Sequence, residues 1–211
     1  MIYLLLFAVA VAAYFIGSLN YSIIVSRVFI KSDIRSKGSG NAGSTNMLRN
    51  YGWSAGIITL ITDFMKTIVT TLGAWSIFVV TFPEFTKLAV AIAGLFCAVG
   101  HCFPVYFGFK GGKGVAVGAM TILAVDYRSF LLVIAVFVLL VAIFKYISLG
   151  SIAGAITFPV SLAFFTDYSY LPDVLALICA VILASMVVIL HSPNIFRIIK
   201  RTESKFSFKK H

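Results

Sequence analysis

The sequence predicts an all-α integral membrane protein, a polytopic bundle of about seven transmembrane helices with its N-terminus outside and its C-terminus cytoplasmic. Three observations predict it. Hydrophobic residues make up 61% of the 211 and charged residues 11%, with a mean hydropathy of +1.05, which excludes an ordinary soluble domain. Charge and turn residues fall in a few clusters that cut the chain into apolar runs, most of them close to the roughly 20 residues a spanning helix needs. Lys and Arg also gather on alternate connections, as cytoplasmic loops require.

The apolar runs place spans at 2–26, 53–81, 87–107, 114–126, 129–145, 148–166 and 172–190, with no separate soluble domain, so 1–211 reads as one domain. The first run has no positive n-region and continues past any cleavage point, which makes it a retained helix and not a removed signal. Asn20-Tyr-Ser22 matches a glycosylation pattern only formally, because it lies inside that run. The second run carries Asp63 and Lys66. Three residues apart on a helix they lie side by side, and charges in a span are costly, so an ion pair facing the bundle is expected.

The fourth run, about 13 residues, fits a tilted helix, a re-entrant segment or half of a broken helix. Charge placement favours a crossing. With seven crossings, Arg27, Lys31, Arg35, Lys37 and Arg49 share a side with Lys110, Lys113, Lys145 and the basic tail from Arg197 to Lys210. The other side then holds Lys87 and Arg128 beside Glu84, Asp126, Asp167 and Asp173. Without the fourth crossing, the basic tail would face outward. The net charge of +10 follows from this rule and from attraction to anionic membrane lipids, so nucleic acid is not needed as a partner. Cys97, Cys102 and Cys179 show no metal-ligand spacing and read as small apolar residues.

Polar residues concentrate in three stretches. Phe107-Gly-Phe-Lys-Gly-Gly-Lys-Gly-Val-Ala116 interrupts apolar sequence with glycines, which let backbone N–H groups turn toward a ligand, and with Lys110 and Lys113. Its glycines Gly111, Gly112 and Gly114 mark an anion-binding loop at a membrane surface, for which phosphate is the natural ligand. The run from Lys37 to Arg49 offers Ser39, Asn41, Ser44, Thr45 and Asn46 as hydrogen-bonding side chains, Gly38, Gly40 and Gly43 for a coiled backbone, and Arg49 as a fork for phosphate. A capped helix start would use the same residue types. The third stretch is His191-Ser-Pro-Asn-Ile-Phe-Arg197, where Pro193 ends or restarts a helix and leaves His191 and Asn194 three apart. Topology places all three on the cytoplasmic side, joined there by the turn from Lys145 to Ser151. Gly150 and Gly154, four apart, allow close helix packing.

Two nucleotide-binding readings fail. Gly38-Ser-Gly-Asn-Ala-Gly43 has the letters of the dinucleotide fingerprint but lacks its strand–helix context and its distal acid. The Lys110–Gly114 loop lacks P-loop spacing and the terminal Ser or Thr. Asp33 and Glu203, the acids on the basic side, are too few for a hard-cation cage, so no metal or other cofactor is expected.

These residues resemble the bacterial acyl-phosphate:glycerol-3-phosphate acyltransferases, the PlsY family, nearly end to end. The resemblance rests on Gly17-Ser18, the run from Ser39 to Arg49, Gly108-Phe-Lys-Gly-Gly-Lys-Gly-Val-Ala116, Tyr146-Ile-Ser-Leu-Gly-Ser151, and His191 with Asn194, Ile195 and Arg197. The chain departs from the pattern at Asn20, where proline is usual, at Thr67, where glycine is usual, and at Arg201 before Thr202-Glu203, where glycine is usual. The resemblance implies a seven-helix enzyme of the bacterial plasma membrane, with its active site on the cytoplasmic face. Its substrates would be acyl phosphate and glycerol 3-phosphate, and its products lysophosphatidate and phosphate. It implies that Ser39, Asn41, Arg49, Lys110 or Lys113, His191 and Asn194 surround the phosphates, with Ser148 or Ser151 nearby. A monomer is compatible with the sequence.

Acyl phosphate is already activated, so the protein's main tasks are orientation and charge stabilisation. The attacking hydroxyl's proton can pass to His191 or to an oxygen of the leaving phosphate. The phosphate is favoured, because no acid is placed beside His191 to orient it. A small anion transporter is the rival class, and it would spread polar residues through the span centres. A CDP-alcohol phosphotransferase would need an array of aspartates.

Overall fold

Apolar helices joined by turns rich in glycine and proline make up the computed structural model, which describes residues 1–206. Lys209 and Lys210 of the predicted basic tail lie outside the described residues. The chain divides into two compact units, Met1–Val125 and the part from Asp126 onward.

In the first unit, α1 (Ile2–Gly17) and α2 (Tyr21–Phe29) share the predicted first span, which is broken at 18–20. Asn20 causes the break. It is fully buried and its side chain accepts from the Ile23 N–H, as an N-cap does, so α2 begins as a new helix. A short 3-10 turn, Ile34–Ser36, leads to α3 (Ser44–Thr81). Gly52 interrupts α3 at φ +85, a conformation that needs no Cβ, and separates the polar segment before it from the apolar span that starts at residue 53. Ile23, Val25, Ile34, Ala42, Met47 and Ala55 form a small buried cluster that holds the connection between α2 and α3 in place.

α4 (Thr86–Cys102) is the core of this unit. Small residues let two neighbours approach it closely. Gly100 lies against the Tyr14 and Ser18 backbone of α1, and Gly94 against Thr121 of α5 (Val115–Val125). α4 ends five residues before its predicted limit, because the residue before Pro104 is biased away from helix.

In the second unit, the Asp126 side chain caps α6 (Tyr127–Phe144) by accepting from the Ser129 N–H, and Lys145 ends it in the left-handed region. α7 (Ile147–Ala163) packs its Gly150 and Gly154 against Val141, Phe137 and Val133 of α6, as the four-residue spacing predicts. α8 (Leu171–Leu190) is followed at once by α9 (Ser192–Ile199), in whose first turn Pro193 sits. Pro193 thus restarts the helix, with His191 at the joint.

Each predicted span falls on helix. Among the described residues, five helical segments are long and apolar enough to cross a membrane, while Val115–Val125 and Ile147–Ala163 are shorter, at 11 and 17 residues. Large apolar side chains such as Phe7, Val69, Leu72, Leu131, Leu139 and Ile189 are exposed along them. Hydrocarbon is the solvent that such surfaces match.

Candidate active site

Asn46 organises the first polar loop. Its amide group points to the carbonyls of Lys37 and Asn41 at 3.0 Å and of Ile34 at 3.3 Å, while its Oδ1 accepts the Ser39 N–H at 3.1 Å. Asn46 is buried, and the 34–41 backbone wraps around it. Gly38 is required there, because a Cβ at its φ of +56 would run into the Asn46 and Asn50 side chains. The outcome is a loop that leaves Ser39 exposed beside Gly38 and Gly40, with Asn41, Gly43 and Thr45 half-buried and Arg49 exposed on α3.

The glycine loop folds back onto the end of α4. The Gly111 N–H donates to the Cys102 carbonyl at 3.0 Å and the Gly112 N–H to the His101 carbonyl at 3.1 Å, which satisfies carbonyls that a helix end leaves open. This differs from the expectation that the glycine amides turn toward a ligand. Two of them are committed to α4, so Lys110, which is exposed, and Lys113, half-buried, carry the loop's positive charge to an anion. Gly112 must be glycine, since a Cβ would strike the His101 ring and come within 2.7 Å of the Ala42 carbonyl. Gly114 is buried where the loop enters α5.

The two loops, about 70 residues apart in sequence, are joined directly. The Ala42 N–H donates to the Gly111 carbonyl at 3.4 Å. Arg35 Nη1 donates to the carbonyls of Phe107 at 2.7 Å and Lys110 at 3.1 Å, while its Nε and Nη2 hold Asp33. The Arg35 hydrogen bond is the main reason that the Asp33 carboxyl titrates well below the usual carboxylate range; burial opposes it, and Arg27 adds to it. Arg35 is raised in return. Asn20 supplies a third tie, as its Nδ2 donates to the carbonyls of both Ala42 and His101 at 3.3 Å.

Below the glycine loop lies a buried charged cluster. Lys66 Nζ is 2.8 Å from Asp63 Oδ1, which is the predicted ion pair, and it also reaches His101 Nδ1 at 2.9 Å and the Leu19 carbonyl at 3.2 Å. All three side chains are nearly inaccessible. Removing one partner of such a pair strands a buried charge, at a cost of about 3–5 kcal/mol.

The second unit builds a separate arrangement around Glu203. Its Oε1 accepts from Ser148 Oγ at 2.8 Å and Asn194 Nδ2 at 2.7 Å, and its Oε2 accepts from Arg197 Nε at 2.7 Å. Burial resists ionisation of this carboxyl, but the bonds from Arg197, Asn194 and Ser148 outweigh it and hold Glu203 below its ordinary value. Ser151 Oγ bonds back to the Ile147 carbonyl at 2.9 Å. His191 Nδ1 lies 2.7 Å from the Val187 carbonyl. A carbonyl only accepts, so Nδ1 carries the proton and Nε2 of the neutral ring is left as the acceptor.

The structure therefore brings the Ser39–Arg49 and Lys110–Gly114 motifs together in one unit, and in the other it sets Ser148, Asn194 and Arg197 around one carboxylate. Sequence reasoning missed Asn20, Arg35 and His101 as positioning groups, and it weighed Asp33 and Glu203 only as metal ligands. Among the described residues no three His, Cys, Asp or Glu side chains gather as a metal ion would need.

Comparison with known proteins gives the family. The family model described as glycerol-3-phosphate acyltransferase matches residues 7–201. Proteins named glycerol-3-phosphate acyltransferase are 37% identical in Chlorobaculum tepidum, over 95% of this chain and 96% of the relative, and 40% identical in Trichlorobacter lovleyi, over 92% and 94%. The crystal structure of PlsY, an integral membrane glycerol 3-phosphate acyltransferase in its glycerol 3-phosphate form, superposes with a TM-score of 0.84 at 30% identity over 96% of each chain. Its lysophosphatidic acid form gives 0.80 at 29% identity, over 96% of this chain and 95% of that one. Match along nearly the whole length, through both units and every polar motif, makes this integral membrane protein a member of the glycerol-3-phosphate acyltransferase family.

Proposed function

We propose that the chain transfers a fatty acyl group from acyl phosphate to the 1-hydroxyl of glycerol 3-phosphate, releasing lysophosphatidate and inorganic phosphate, as the first acylation of bacterial phospholipid synthesis. The observation that carries this reading is the junction of the Ser39 loop with the Lys110–Gly114 loop, through Ala42, Gly111 and Arg35. It ties the loop that carries Ser39 to the loop that carries Lys110 and Lys113, a combination of hydroxyl and cations that suits an activated phosphate.

In the reaction, the 1-hydroxyl oxygen attacks the acyl carbonyl carbon, an ester bond forms, and the bond from that carbon to the phosphate oxygen breaks. The hydroxyl proton ends on the departing phosphate. Ser39 hydrogen-bonds the acyl phosphate and is not itself acylated. Lys113 balances the charge that grows on the leaving group, and Arg49, Lys110, Asn41 and Thr45 bind phosphate oxygens. His191 and Asn194 hold the glycerol phosphate. Asn46, Gly38, Gly40, Gly43, Gly111, Gly112 and Gly114 shape the loops, and Ser148 and Ser151 support the Asn194 side.

We place the protein in the bacterial plasma membrane with seven crossings, the N-terminus outside and the site cytoplasmic, and treat 1–211 as one catalytic domain. The family match running through both units supports that last assignment. Purified protein given palmitoyl phosphate and radiolabelled glycerol 3-phosphate, with chelator present, should form labelled lysophosphatidate. Absence of product together with glycerol 3-phosphate uptake into liposomes would reverse the assignment to a transporter.

A further inference from the structure

The Lys66 ammonium forms an ion pair with Asp63 Oδ1 at 2.8 Å and reaches two hydrogen-bond partners, His101 Nδ1 at 2.9 Å and the Leu19 carbonyl at 3.2 Å. An ammonium only donates, so His101 Nδ1 is the acceptor in that contact, and the neutral ring must carry its proton on Nε2. The alternative, an Nδ1–H given to Asp63, would span 3.4 Å and forfeit the shorter contact from the cation. Nε2 is the atom that a side chain at residue 112 would strike, so it faces the underside of the glycine loop. The His101 carbonyl meanwhile accepts the Gly112 N–H at 3.1 Å and Asn20 Nδ2 at 3.3 Å, and Asn20 Nδ2 also donates to Ala42, which is itself bonded to Gly111. His101 thus touches the buried ion pair with its ring, and the glycine loop with both its ring and its backbone.

We propose that Asp63, Lys66 and His101 form a relay of positioning residues, in which the buried pair locks His101 as the Nε2–H tautomer and the locked ring fixes the height of Gly111–Gly112 against Ala42. The span of the anion site between the two loops is then set from beneath, by groups that never meet substrate. This inference rests on the acyltransfer reading, because the site it positions is the one assigned there. An ion pair that merely stabilised helix packing would need only Asp63 and Lys66. The third member is what ties it to the loop.

The variants His101→Gln and His101→Asn separate these roles, since the Gln amide reaches the ε position with an N–H donor while the Asn amide reaches only the δ position. Measured with palmitoyl phosphate and glycerol 3-phosphate, and normalised to folded protein by gel filtration and thermal melting, kcat should fall about 100-fold in His101→Asn, the scale of an ångström-size misplacement. It should stay within about fivefold in His101→Gln. A purely structural residue would lower melting temperature in both variants and leave kcat per folded molecule alike, and that result overturns the proposal. If His101→Asn does not fold, the wild-type protein decides: its 15N-histidine spectrum, with the His101 signals assigned by their loss in His101→Gln, should show a protonated Nε2 and a bare Nδ1. A protonated Nδ1 overturns the proposal. Wild-type protein without acyltransfer in the same assay would instead remove the proposed function, whatever the spectrum shows.

Discussion

Asn194 Nδ2 donates to Glu203 Oε1 at 2.7 Å, so a residue of α9 is oriented by an acid from the segment that follows it. The same oxygen takes the Ser148 hydroxyl, and the second oxygen takes Arg197. Glu203→Ala removes all three bonds at once. Hydrogen bonds to a charged group contribute about 1.5–3 kcal/mol each to stability, so the melting temperature should drop, and with Asn194 no longer oriented turnover should fall about 10- to 100-fold. Glu203→Gln, which keeps an acceptor, should lose less. Steady-state assay beside thermal melting in detergent checks both.

The ionised Glu203 is favoured in the fold, below its ordinary value of 4.5, so its contribution to stability is present above that value and lost as pH falls through the depressed one. The wild-type protein should hold a steady melting-temperature advantage over Glu203→Gln from neutral pH down to about 5.5, narrowing below about 4.5. A gap that widens in acid would contradict the assignment.

Arg35 ties Asp33 to the Lys110 end of the glycine loop with one planar group. Lysine cannot reproduce that fork, so Arg35→Lys should raise KM for acyl phosphate and lower kcat/KM about tenfold. The double change with Asp33→Ala should add little to Arg35→Ala alone, because both act on one network.

Gly112→Ala forces a methyl group between the His101 ring and the Ala42 carbonyl. The loops must part, and activity should drop about 100-fold while the protein still inserts. Membrane fractionation and the radiolabel assay read the two quantities separately.

Ser39→Ala, Lys113→Ala and His191→Ala should each cut turnover by roughly 100-fold or more, the range seen when a charge-stabilising or proton-handling group is lost. Wild-type protein incubated with palmitoyl phosphate alone should show no mass increase at Ser39, since no acyl-serine forms. Near-normal turnover in Ser39→Ala would take that residue out of the mechanism.

Hydropathy made the spans legible, because burial in hydrocarbon leaves its mark on every residue of a run. The break at 18–20 was not legible: Asn20 is held by carbonyls 22 and 81 residues away, and nothing local in an apolar run announces them. Asp63 and Lys66 were readable as a pair because they are three apart on one helix. Their partner His101 is 35 residues from Lys66 and arrives through packing of α4 on α3. The loop motifs could be read for residue type but not for direction. Asn46 looks like a ligand-binding amide in the sequence, and its side chain is the post around which the Ser39 loop is wound. Asp33 and Glu203, as lone acids among many bases, looked insufficient for a metal, yet each gathers arginine and fixes a motif.

Gly52 divides a 38-residue helical stretch into two rods that share one backbone joint. The longer rod answers to the bilayer, and its tilt follows the thickness of whatever membrane surrounds it. The shorter rod carries Thr45, Asn46 and Arg49, and it is packed on the longer one: Met47 before the joint and Ala55 after it share a buried cluster with Ile34, and Gly56 lies against Leu48. A joint at a residue without a side chain lets the chain turn sharply while the two rods stay packed together, so the spanning helix serves as the mount for the segment that carries the polar groups.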